Sequence, residues 1–100
     1  MEPTRVQSGL VTAQGSVGTS AALALAADTN PPQAARGFLA IRNMHASQIL
    51  YVGPSSSVSA ANGYPVDPGK ELIFAGARMY TGAIYVIGSG AATTYALLRF

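Results

Sequence analysis

From Phe38 onward the chain alternates short apolar runs with turn-forming residues. Phe38-Leu39-Ala40-Ile41 gives way to Asn43-Met44-His45-Ala46-Ser47, Ile49-Leu50-Tyr51-Val52 to Gly53-Pro54-Ser55, and Leu72-Ile73-Phe74-Ala75 to Gly76. Runs of this length, rich in β-branched and aromatic residues and bounded by Gly, Pro, Asn, Asp or Ser, predict strands. The predicted strands are Arg36–Asn43, Gln48–Gly53, Lys70–Ala75, Ala83–Ile87 and Thr93–Phe100, with a further short one at Val58-Ser59. In the first, Leu39 and Ile41 share one face and Phe38, Ala40 and Arg42 the other. Gln48–Gly53 is expected to pair with it as a hairpin.

The N-terminal third is read less directly. Arg5–Val11 and Ser16–Leu25 are expected as two extended segments around Thr12-Ala13-Gln14-Gly15. Ala21–Ala27 has high helix propensity, but Val17, Thr19, Ala21, Leu23 and Leu25 recur at period two. Gly15 and Gly18 also discourage a helix, so a strand is favoured. Asp28-Thr29-Asn30-Pro31-Pro32-Gln33 is a connector, because proline removes ladder donors and restricts the residue before it.

Two turns fix the spacing of the central region. Asn62-Gly63 suits a turn that needs positive φ. Pro68-Gly69 suits the centre of a type II turn, with proline setting φ at the second position and glycine accepting positive φ at the third. No helix-length crossover separates the strands. The expected fold is therefore all-β: an antiparallel β-sandwich, jelly-roll-like, with seven or eight short strands in one domain spanning residues 1–100. Residues 1–35 are expected to serve as an extended N-terminal docking segment.

Several strands are apolar on both faces. Ile84 and Val86 oppose Ala83, Tyr85 and Ile87; Tyr95 and Leu97 oppose Ala96, Leu98 and Phe100. A two-layer sandwich needs one apolar face per sheet, so the second face is covered either by the chain's own loops or by other chains. Composition favours other chains. Charged residues are 10% of the 100, against roughly 25% in ordinary soluble domains, while 49% are hydrophobic. A surface this poor in charge is weakly protected against association. Tyr85, Ile87, Tyr95 and Leu97 are the expected interface residues.

The remaining composition mostly excludes. Without cysteine there is no disulfide, thiolate metal site or cysteine nucleophile. The net charge of +2 comes from dispersed residues, Arg5, Arg36, Arg42, Lys70, Arg78 and Arg99, which argues against a nucleic-acid footprint. The longest apolar run, Ala21–Ala27, is far short of the roughly 20 residues that span a bilayer. The N-terminus lacks the pattern of a signal peptide, so synthesis in the cytoplasm is expected.

No set of catalytic groups assembles from these residues. His45 is the lone histidine, sits in a turn without an acidic neighbour, and reads as a solvent-facing or locally hydrogen-bonded residue. Asp67 and Glu71 are separated by a turn that does not suit a glycosidase pair; Asp67 reads as a turn cap. Ser55-Ser56-Ser57 has no nucleophile elbow, and Gly88-Ser89-Gly90 lacks the Lys and helix of a phosphate loop. Neither a metal nor a cofactor site is expected, and the protein is read as non-enzymatic. Tyr64 and Tyr80, in expected loops, could stack on a sugar together with Asn62 or Asp67.

Taken together, Phe38–Asn43, Ile49–Gly53, Asn62-Gly63-Tyr64-Pro65-Val66, Pro68-Gly69 and Ile84–Ile87 resemble a pattern found in small virion proteins of tailed bacteriophages. There, a strand ending in Arg-Asn leads to an "IYVG"-like strand, an "NG-P-L-PG" turn and an "LYAI"-like strand before a Thr-containing last strand. The resemblance covers residues 36–99, with Val66 where the pattern often has Leu. It implies a virion structural protein, such as a capsid decoration (cement) protein or head fibre. Its partners would be major capsid or tail proteins, and it would be a homo-oligomer, a trimer being one candidate. The alternative is a tail-associated or receptor/glycan-binding module.

Overall fold

The computed structural model describes residues 11–25, 38–75 and 82–99. Eight strands follow in chain order: β1 (Val11–Val17), β2 (Ala22–Leu25), β3 (Phe38–Asn43), β4 (Leu50–Gly53), β5 (Tyr64–Val66), β6 (Glu71–Ala75), β7 (Ile84–Gly88) and β8 (Thr93–Arg99). They form two four-stranded antiparallel sheets with orders β1-β8-β3-β6 and β2-β7-β4-β5. That pair of orders is the jelly roll, two interleaved Greek keys. The expected all-β sandwich is therefore the observed one.

The inner faces make one core. Leu39, Ile41, Tyr95, Leu97 and Val17 of the first sheet meet Leu50, Val52, Val66, Ile84 and Val86 of the second. Each fully buried aliphatic side chain contributes roughly 1.5–3 kcal/mol. Since Leu39, Ile41, Leu50 and Val86 have no exposed surface, burial of these residues dominates the stability of the sandwich.

The pairing of β3 differs from expectation. Its neighbours are β6 and β8, while β4 lies in the opposite sheet beside β5 and β7. Residues 44–49 are thus a corner between layers rather than a hairpin, and Asn43 builds it. Its fully buried side chain donates through Nδ2 to Gln48 O (2.7 Å) and Val66 O (2.8 Å), and accepts at Oδ1 from His45 N (2.9 Å). The Asn43 backbone binds Lys70 O and Gly69 N at 2.9 and 3.0 Å. One residue thereby ties the β3–β4 corner to the end of β5 and the β5–β6 turn.

The N-terminal segments also shift. Thr12-Ala13-Gln14-Gly15 lies within β1, and the chain turns at Gly18-Thr19-Ser20. Gly15 is no turn residue: a Cβ there would sit 2.8 Å from the Tyr95 hydroxyl of the neighbouring strand. A glycine inside a strand often marks such close approach. Because the turn at 18–20 moves the chain from one sheet to the other, the period-two set is split, with Val17 buried and Leu23 exposed. Of the expected extended segment Arg5–Val11 only Val11, where β1 begins, is among the described residues, and the 28–33 connector lies outside them.

The two predicted turns divide. Gly69 has φ +76° and Lys70 N donates to Asp67 O at 2.9 Å, the type II turn expected at Pro68-Gly69. Asp67 thus serves through its carbonyl. Gly63 is not among the positive-φ residues; a Cβ there would fall within 3 Å of Tyr51 Cβ, Ser59 O and Val58 Cγ2. It is glycine because the chain passes close, and Asn62 instead braces the 55–62 loop, accepting from Ser59 N (2.8 Å) and donating to Ser57 O (3.2 Å). Val58, expected in a strand, is a loop residue buried within this self-bonded segment.

Candidate interaction surfaces

Strand alternation assigns each residue to the core or to an outer face. On the β1-β8-β3-β6 sheet the outward positions are Thr12, Gln14 and Ser16 of β1, Thr94, Ala96 and Leu98 of β8, Phe38, Ala40 and Arg42 of β3, and Glu71 and Ile73 of β6. Ala40 lies between Leu98 and Ile73 in register and is 8% exposed, while Ile73 is 51% exposed. Arg42 stands opposite Glu71 and both are exposed. An open groove of about 650 Å³ runs along this face past Thr12, Gln14, Ala40, Arg42, Ala96 and Leu98.

The outer face of the β2-β7-β4-β5 sheet is almost free of polar side chains. Leu23, Tyr85 and Gly53 form one cross-strand row, and Ile87, Tyr51 and Pro65 the next. Part of it is covered by the chain itself. The 54–63 loop folds back so that Val58 lies against Gly53 and beside Gly63, where a Cβ on Gly53 would be 2.6 Å from Val58 Cγ2. Leu23 remains exposed, and Tyr51, Tyr85 and Ile87 are half-buried.

The expected interface set therefore splits. Tyr85 and Ile87 face outward, whereas Tyr95 and Leu97 are buried in the core. On β8 the outward residues are Thr94, Ala96 and Leu98. Burial pushes the Tyr95 hydroxyl above the ordinary tyrosine value, since the phenolate loses more hydration than the phenol.

Between the sheets, at the side where β5 and β6 form their edges, an apolar cleft of about 310 Å³ is lined by Val52, Pro54, Tyr64, Leu72, Phe74 and Ile84. It has almost no polar group to orient a small ligand, unlike most ligand sites. Tyr64 stands at its mouth, 61% exposed; Tyr80 lies outside the described residues, so the pairing of these two tyrosines does too.

The polar residues singled out from sequence have structural partners. His45 Nδ1 accepts from Ser47 N and Gln48 N at 3.0 Å each, closing the corner that Asn43 begins. Thr93, fully buried, was not singled out from sequence. With its amide turned so that Nε2 faces the β7–β8 loop, Gln48 donates to Ala91 O and Gly90 O at 3.1 Å and to Thr93 Oγ1, while Thr93 Oγ1 donates to Gly90 O at 3.0 Å. Ser89 links the same loop to β4, donating from N to Ile49 O and accepting from Ile49 N at Oγ, both at 2.9 Å. Asn43 and Thr93 carried no local signal beyond being polar residues at strand ends. Among the described residues, no three His, Cys, Asp or Glu side chains group to hold a metal, and no helix is long and apolar enough to cross a membrane.

No family model, curated protein or solved structure matches this chain.

Proposed function

We propose that the protein is a non-enzymatic virion structural protein of a tailed bacteriophage, a capsid decoration (cement) or similar accessory protein that stabilises a particle through subunit contacts. The observation that carries this reading is apolar surface on the outer side of both sheets: Leu23, Tyr85, Ile87 and Tyr51 make up most of one outer face, and Ala40, Ile73, Ala96 and Leu98 form a patch among polar neighbours on the other. A sandwich has no internal use for apolar side chains on its outer faces. Interfaces between stably associated chains resemble a domain core cut in half. The jelly roll is a recurrent architecture of capsid proteins, an argument by analogy of fold. The sequence pattern over residues 36–99 points the same way.

In this role the protein works mechanically, burying surface against major capsid or tail proteins and against its own copies in a homo-oligomer. The test is to band particles from the phage that encodes the chain on a density gradient and identify their proteins by mass spectrometry. The expected result is this chain in the particle band, in copy number comparable to a major structural protein. Its absence from intact particles overturns the proposal.

A further inference from the structure

A jelly roll has four edge strands, and three of these are blunted. β2 is four residues long and bulged between Leu23 and Leu25. β5 is three residues long and contains Pro65, while β6 begins at Glu71, directly after Lys70. Short length, bulges, proline and charge are the usual protections against edge-to-edge pairing. The fourth edge, β1, has none of them. Val11-Thr12-Ala13-Gln14-Gly15-Ser16-Val17 is seven residues with no charge, no proline and an unbroken register against β8. Thr12, Ala13, Gln14 and Ser16 are all exposed. Ala13 is exposed although it shares a face with buried Val17, so this half of β1 is open on both faces.

We propose that β1 is the dimerisation edge of this protein, pairing antiparallel with β1 of a second copy across a two-fold axis at Gln14. The strand itself argues for a second copy as the occupant. Centring the axis on the middle residue pairs the full seven-residue length, and each cross-strand pair is then compatible. Thr12 faces Ser16 of the other copy and Gln14 faces its own equivalent, neutral side chains that hydrogen-bond across strands. Ala13 faces Gly15. No like charges meet. A two-fold contact of this kind is self-complementary and closed, so it yields dimers and not fibres. It joins the two β1-β8-β3-β6 sheets into one eight-stranded sheet with a polar seam of Thr12, Gln14 and Ser16 from both copies on its outer face.

This inference stands on β1 alone and is independent of any role in a particle. Sedimentation of the full chain at micromolar concentration is expected to give a species at twice the 10.2 kDa of one copy. Gln14→Lys places two ammonium groups against each other at the axis and is expected to weaken the dimer at least tenfold. The double variant Thr12→Lys/Ser16→Lys is expected to do the same, whereas Thr12→Glu/Ser16→Lys sets opposite charges face to face and is expected to remain dimeric. All these positions are exposed, and an unchanged melting temperature of the diluted monomer reports that each variant folds. A monomeric wild type, or an oligomer indifferent to these charges, overturns the inference, including the case in which β1 receives a strand from a different protein.

Discussion

Asn43 is the residue on which the layers turn. Its carboxamide uses both its donor hydrogens and its oxygen inside the protein: Gln48 O and His45 N belong to the 44–49 corner, and Val66 O to the end of β5. Removing it strands the buried Val66 carbonyl and the partly buried Gln48 carbonyl and His45 amide, and an unsatisfied buried group costs about 1–3 kcal/mol. Asn43→Ala is therefore expected to cost about 3 kcal/mol or more, measured as a fall in the denaturation midpoint, while a truncation at exposed Met44 stays near neutral. Tyr95 gives a second expectation. Its folded-state titration lies above the ordinary 10.0 because burial penalises the phenolate. Folding thus favours the protonated hydroxyl, a contribution fully present below pH 10 and lost as pH rises through the raised value. Alkaline melting curves of wild type should fall more steeply above that pH than those of Tyr95→Phe.

The connections show how strongly each turn depends on its own chemistry. Pro68-Gly69 was legible because the type II turn is a property of two adjacent residues. The β7–β8 connection works differently: Ala92 adopts φ +58°, a left-handed conformation that costs a non-glycine residue roughly 1–2 kcal/mol. It is held there by the bonds around Gly90, Thr93 and Gln48. Ala92→Gly relieves that cost while adding some chain entropy to the unfolded state. The expected net is a stabilisation of about 0.5–1 kcal/mol, seen as a higher melting temperature. No sequence rule flags an alanine for this position, and Gln48, which braces the same loop, lies 45 residues from Thr93 in the chain.

Among the described residues, the outer faces and the β1 edge carry the two proposals, and they differ in kind. One face is almost wholly apolar and the other carries an apolar patch among polar residues, whereas the β1 edge, as an edge strand, offers a row of backbone donors and acceptors. Gradient-banded particles and solution sedimentation interrogate these separately, so either reading can fail without the other. The existence, order and approximate bounds of β3, β4, β6, β7 and β8 followed from sequence alone, because apolar runs punctuated by turn residues are a local pattern. So did the second apolar faces, at Tyr85 and Ile87. The same alternation could not say which of the two faces of β8 looks inward, since Tyr95-Leu97 and Ala96-Leu98 are equally apolar. Nor could it place β4 opposite β3 instead of beside it: the corner that separates them is tied by the buried amide of Asn43 to Val66, 23 residues on. Gly15 and Gly63 likewise read as turns until the Tyr95 ring and Val58 are seen against them. Local steric and hydrogen-bond preferences write strands and tight turns into a sequence; which strands become neighbours, and which faces they share, is settled by long-range packing that exists only once the layers have closed.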